Sequence, residues 1–318
     1  MNLKLSRHQK AIIALVIANI IWGAASPIFK WSLDNIHPFT LAFFRFWLAA
    51  LILLPFAWNN LKVEKKDWHT LIILSISGIT FNISFFFLGL SLAPSINAPI
   101  IATSGPIFLL MGCWFYLKEK IKKKIIFGTL IGFLGVSLII LQPLLENGFD
   151  GEVLGNLFFV LATIGAVIHT VFARKIMPHY SAVTITFWSF FIGALTFAPF
   201  FSWETGKYGL LAGISYVGIT GIVFGVVLCS VAAYYLFNLS IKMLQAQEVG
   251  VFAYLDPIVA IIIAIPLLGE IPTPLYILGS LFVLVGILTA EGRFSVYRLL
   301  KKWKEEIESP NLANTGKI

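Results

Sequence analysis

Four ionisable side chains lie within or at the end of long apolar stretches of this sequence: Lys30, Arg45, His169 and Asp256. Inside hydrocarbon such a group costs about 2.5–3.5 kcal/mol on insertion scales, so each calls for a function or a structural partner. Asp256, directly before Pro257, reads in two ways. It binds a substrate ammonium or a coupling proton, or it caps the break that the proline makes in its helix. Arg45 reads as an attractor for a carboxylate or phosphate, or as a structural arginine bonded to carbonyls. His169 is a proton acceptor, a polar lining group or a hydrogen bond between helices. Lys30 reads as a side chain that snorkels to the membrane interface. Around these, Asn82, Tyr235 and Tyr254 offer orienting hydrogen bonds to a polar ligand, and Trp22, Phe86 and Phe252 offer apolar walls. Aromatic residues make up 15% of the chain, so each is equally a packing residue.

The same residues exclude most enzyme chemistry. None of the five histidines belongs to an H-E-x-x-H pair, so a zinc hydrolase is not indicated. An intramembrane aspartyl protease needs two acids, and only Asp256 lies well inside an apolar segment. No phosphate-binding P-loop is present, so ATP hydrolysis does not supply energy. No metal or cofactor is implied. The first apolar segment holds no acid, which argues against a cation–drug antiport built on a first-helix glutamate.

Only helices in a bilayer can position these groups. The 318 residues are 58% hydrophobic and 12% charged, with mean hydropathy +0.90; soluble domains carry about 25% charged residues. A span needs about 20 mostly apolar residues, and ten such stretches lie near 11–30, 38–57, 70–92, 96–117, 125–142, 154–173, 182–201, 213–239, 247–268 and 274–290. Period-two alternation is absent, so the reading is an all-α polytopic membrane protein and not a β-barrel. Cys113 and Cys229 both lie in apolar segments and imply no disulfide. Of the 23 Lys and Arg residues, all but Lys30, Arg45 and Lys207 fall to one face. The positive-inside rule places that face, and both termini, in the cytoplasm. The net charge of +8 is therefore a topology signal and not a nucleic-acid footprint.

The chain also repeats itself. Pro106, Glu119, Gly128 and Gly135 recur 151 positions later as Pro257, Glu270, Gly279 and Gly286. Thr40, Ala50, Leu51 and Pro55 recur 144 positions later as Thr184, Ala194, Leu195 and Pro199. Each copy holds five spans, so the second is inverted, an arrangement that places a binding site at the seam near the midplane. The organisation expected is an N-terminal tail (1–10), a first repeat (11–142), an outward-facing linker (143–153), a second repeat (154–290) and an amphipathic cytoplasmic tail (291–318). Glu119 and Glu270 recur at helix ends on opposite faces, which suits a structural tie. The glycine pairs, seven residues apart, permit close helix packing within the bundle or between monomers.

Trp22-Gly23, Lys30, the Phe43-Phe44-Arg45-Phe46 segment and the two Pro-x12-Glu-x8-Gly-x6-Gly blocks together resemble the EamA-type ten-helix transporters of the drug/metabolite transporter superfamily, over roughly residues 11–290. The resemblance implies a carrier in the cell (plasma or inner) membrane that exports amino acids or related metabolites by alternating access, as a monomer or homodimer among lipids. It further implies a cavity lined mainly by spans one, three, four, six, eight and nine. The family also holds carriers of sugars, nucleotide sugars and phosphorylated compounds, and those are the alternative substrates; an intramembrane enzyme is the remaining alternative. Trp22, Arg45, Asn82, Phe86, His169, Tyr235, Tyr254 and Asp256 are the expected substrate-binding set.

Overall fold

A computed structural model describes residues 7–105, 108, 123–209, 215–241, 252 and 254–291. The described residues are helical with short turns and contain no strand. Among the described residues, ten helical spans follow one another. Spans one and two are Arg7–Leu33 and Pro38–Ala57. Span three joins Trp68–Ser75, a π-helical stretch Ile76–Phe81, and Asn82–Leu90. Span four is described over Asn97–Ala102. Spans five, six and seven are Lys123–Asn147, Gly151–Ile176 and Ala182–Tyr208. Span eight joins Tyr216–Val223, a second π-helical stretch Phe224–Ala232, and Ala233–Ile241. Spans nine and ten are Leu255–Leu268 and Pro274–Glu291. Seven of these are long and apolar enough to cross a membrane, and spans nine and ten are shorter apolar helices. The expected positions Pro106 and Glu119, and the tail beyond Glu291, lie outside the described residues.

Local chemistry sets the ends. Asp150, Ser181 and Ser215 each accept a backbone N–H of the first turn that follows, at 3.1 Å, which satisfies donors that a helix start leaves open. Span nine ends on Gly269, whose φ of 68° lies in the left-handed region that favours glycine. Span one runs to Leu33, past Lys30, and span five runs through Pro143 to Asn147. Only residues 148–150 separate spans five and six, so most of the expected 143–153 linker is helix.

The packing obeys the inversion. Span two lies against span seven, and span five against span ten. Span one packs on spans eight and nine, as span six packs on spans three and four. Exchanging each span with its counterpart five places on leaves this set of contacts unchanged. Polar details follow the same rule. Glu204, at the end of span seven, accepts from Phe39 N (3.2 Å), Thr40 N (2.7 Å) and Thr40 Oγ1 (2.8 Å) at the start of span two. Thr184, the repeat partner of Thr40, donates to the Asn60 carbonyl beyond the end of span two at 3.1 Å. The π-helical stretches fall in counterpart spans three and eight.

The repeated glycines build the seam between spans five and ten. A Cβ on Gly135 would stand 2.5 Å from the Gly279 carbonyl oxygen, and one on Gly286 would stand 2.6 Å from the Gly128 oxygen. Backbone meets backbone here, within one chain. Of the two packing modes the sequence leaves open for these glycines, the described contacts are the intramolecular one.

Candidate functional site

A cavity of about 400 Å³ opens between the two halves. Span one contributes Trp22 and Ser26, one turn apart on a single helix face, and span three contributes Asn82 and Phe86 at the same spacing. Span four lines it with Ala98, Pro99, Ala102 and Gly105; span six with Phe159, Ala162, Thr163, Ala166, Val167 and Thr170. Span nine sends in Asp256. Gly23 is what lets span nine approach, because a Cβ there would lie 2.8 Å from the Asp256 carbonyl oxygen. Asp256 is thereby set beside Trp22 and Ser26.

Most polar groups in the wall are tied into the protein. Trp22 Nε1 donates to the Cys229 carbonyl of span eight at 3.2 Å, and Asn82 Nδ2 donates to Ala162 O at 2.7 Å. Thr163 and Thr170 each donate to the carbonyl one turn earlier, at 2.8 Å. Among the described residues, two buried side-chain atoms have no partner: Ser26 Oγ and Asp256 Oδ1. A buried polar atom left without a hydrogen bond costs about 1–3 kcal/mol, so such atoms mark strain or an absent ligand.

A polar tie lies one turn beyond the cavity lining. Lys30, one turn beyond Ser26, donates to the Ala93 carbonyl at 2.6 Å and pairs with Glu270 at 3.0 Å. The Glu270 carboxylate also accepts from Ser95 N (2.9 Å), Ser95 Oγ (2.7 Å) and Ile96 N (3.2 Å), two to three residues before Ala98. One carboxylate thus joins span one, the turn between spans three and four, and the loop after span nine. The expectation that Lys30 snorkels to the interface gives way to this ion pair: the lysine side chain is 28% exposed and the glutamate 11%.

The EamA-like transporter family model matches the chain twice, over residues 9–141 and 153–290. The chain belongs to the EamA-like transporter family. An uncharacterized transporter of Archaeoglobus fulgidus is 25% identical over 289 residues, covering 88% of this chain and 96% of the relative. An S-adenosylmethionine uptake transporter of Rickettsia conorii is 26% identical over 315 residues, covering 97% and 100%. A crystal structure superposes with a TM-score of 0.61 at 17% identity, over 90% of this chain and 96% of the other; it supports the fold alone. The protein is thus a multi-pass membrane transporter and a carrier, and a carrier binds a small-molecule substrate.

Within this EamA-like transporter, the expected substrate-binding residues separate. Trp22, Asn82, Phe86 and Asp256 meet in the cavity. Arg45 does not: it is 6% exposed, bonded through Nε to Ser230 Oγ at 3.2 Å, with its guanidinium 5.0 Å from the Phe29 ring and 4.9 Å from the Phe46 ring. Its charge is held by aromatic faces and a hydroxyl, a helix-packing device behind the cavity wall. His169 points the other way around span six, with Nδ1 2.8 Å from the Leu74 carbonyl and its ring filling the space over Gly78. Tyr235 is 66% exposed on the outer surface of the bundle. Tyr254 packs beside Pro257 toward span ten, and Phe252 packs on the turn Ala11–Leu15. Span eight sends no described side chain into the cavity.

The residues that the sequence did not single out are Ser26, Phe159 and Thr163 with their small neighbours. Ser26 was legible as the residue one turn from Trp22. The span-six face, with Ala162, Ala166 and Thr170, is too apolar to stand out from a lipid-facing one.

Proposed function

We propose that this carrier exports small metabolites, amino acids and their derivatives, by alternating access through the cavity at the seam of the two halves. The observation that carries the reading is a mid-bundle cavity lined from both repeats, holding two buried polar atoms without partners. Inverted halves supply the motion, since each can rock against the other around a fixed site. The lysine-rich face is cytoplasmic by the positive-inside rule, so both termini lie inside, in the cell membrane. On that orientation the Lys30–Glu270 tie seals the outer end, while the other end of the cavity runs along span six to Thr170, toward the cytoplasmic face. The uptake of S-adenosylmethionine named for the rickettsial relatives concerns an amino-acid derivative and supports the substrate class. Net direction is set by the gradients of substrate and of any coupled ion, so export and uptake use the same site.

The test is flux in proteoliposomes, in both directions, across a panel of amino acids, sugars and nucleotides. Ala102→Trp fills the cavity and abolishes flux of the transported compound, whereas Tyr235→Trp on the outer surface leaves it intact. Undiminished flux through a folded Ala102→Trp protein would overturn the reading.

A further inference from the structure

We propose that the cavity selects its substrate by an organic ammonium group, held by Asp256 and Ser26 against aromatic walls, and that it excludes compounds whose only charge is a carboxylate or phosphate. The inference rests on reading the cavity as the substrate site and names what that site recognises.

A count of donors and acceptors carries it. The indole N–H of Trp22, the amide of Asn82 and the hydroxyl protons of Thr163 and Thr170 all donate to backbone carbonyls. What these side chains retain is mostly acceptor capacity, the Asn82 carbonyl oxygen and the threonine lone pairs, with one further N–H on the Asn82 amide. Asp256 adds a carboxylate oxygen that nothing satisfies. Among the described lining residues, the uncommitted side-chain donors are the Ser26 hydroxyl, which serves equally as an acceptor, and the second N–H of Asn82, and both are neutral. A ligand that satisfies such a wall must bring N–H donors and positive charge.

Among the described residues, no cation in the wall competes for that role. Lys30 is one turn away but is engaged by Glu270 and the Ala93 carbonyl. Arg45 stands between Phe29 and Phe46 and donates to Ser230. His169 turns to Leu74. An incoming carboxylate would therefore meet Asp256 with no compensating charge, and like charges in a low-dielectric site repel strongly. An ammonium would instead pair with Asp256, donate to Ser26, and lie within reach of the ring faces of Trp22 and Phe86.

Three matched probes test this on the full-length protein in detergent, with affinity read by titration calorimetry: phenethylamine (ammonium only), phenylalanine (both charges) and 3-phenylpropionate (carboxylate only). Phenethylamine is expected to bind at least about tenfold more tightly than 3-phenylpropionate, with phenylalanine between them. Asp256→Asn abolishes that order and Asp256→Glu retains it, in proteins that remain monodisperse with an unchanged melting temperature. Equal or tighter binding of 3-phenylpropionate overturns the proposal, as does an order that survives Asp256→Asn, or failure of all three to bind. Ala102→Trp separates the two levels of failure. If a reversed charge order is lost on filling the cavity, the ammonium assignment is wrong and the cavity stands. If phenethylamine binds the filled protein unchanged, the cavity itself is not the site.

Discussion

Replacing Glu270 with Gln should open the end of the cavity that the Lys30 tie seals, by an amount that can be worked from its contacts. Glu270 Oε1 takes the Ser95 N–H and Lys30 Nζ, and Oε2 takes the Ser95 hydroxyl and the Ile96 N–H. A glutamine keeps one oxygen and turns an NH₂ toward the other pair. Whichever way the amide lies, at least one backbone N–H loses its acceptor, about 1–3 kcal/mol if it stays buried. Lys30 also loses its countercharge, and because its side chain is 28% exposed that loss is discounted well below the roughly 3–5 kcal/mol of a fully buried pair. Together the closed arrangement weakens by about 2 kcal/mol, or roughly 30-fold in the closed-to-open ratio, provided these bonds exist only when this face is shut. The assay is maleimide labelling of Ala102→Cys, with Cys113 and Cys229 replaced, from the face that carries Glu270. Labelling should accelerate toward that factor in Glu270→Gln and stay at the reference rate in Glu204→Gln. The second carboxylate ties spans seven and two and touches neither span one nor the turn between spans three and four. A rate unchanged within about threefold, or an equal rise in both variants, would show that the tie is structural and gates nothing.

Other substitutions test other parts of the fold. Gly135→Leu drives a side chain into the Gly279 carbonyl and the backbone of span ten; overpacking of about 3 kcal/mol or more should show as a lowered melting temperature in detergent or loss of the folded protein. Glu204→Ala strips the acceptors from two backbone donors and a threonine at the start of span two, where Glu204 is 3% exposed; a loss of roughly 3 kcal/mol is expected in thermal unfolding, with substrate affinity unchanged. Arg45→Lys keeps the charge but gives up the guanidinium's contacts with the Phe29 and Phe46 rings and its N–H to Ser230. It should lower stability by about 1–2 kcal/mol and leave substrate specificity alone, against the role of anion attractor. Ser26→Ala removes one of the two unpartnered atoms and adds no bulk to the cavity; the melting temperature of the empty protein should hold or rise, while affinity for an ammonium probe falls by about fivefold or more.

What was readable in the residues, and what was not, divides along one physical line. In lipid there is no hydrophobic contrast between the inside of a bundle and its outside, because the solvent is as apolar as the core. Signals that do not depend on this contrast survive. Lengths of apolar runs mark the spans, and Pro, Glu and Gly are rare enough in apolar sequence that their recurrence at one offset reveals the repeat. The glycine seam of spans five and ten lies on that recurrence. Signals that do depend on it vanish. Nothing near Tyr235 says that it faces outward at 66% exposure, and nothing near His169 says that it turns to Leu74 and not to the cavity. Lys30 read as a span end because its countercharge, Glu270, comes from the other half of the chain.

The same line bears on Asp256, which the sequence left open between binding an ammonium or a proton and capping the helix break at Pro257. An acid must be neutralised by something, and the span-one cation one turn beyond Ser26, Lys30, is engaged by Glu270 and the Ala93 carbonyl. Lys30 and Arg45 were the only other charges at that depth. The structure consumes both, one in the tie to Glu270 and one between two phenylalanine rings. A carboxylate left over once these two are assigned points to a cation that arrives with the substrate. The inverted repeat adds a reason for its being there once only. Gly105 occupies the counterpart position and lines the same cavity without a charge. Symmetry thus supplies the crevice and the motion, and the departure from symmetry at Asp256 supplies the chemistry that lets the crevice choose.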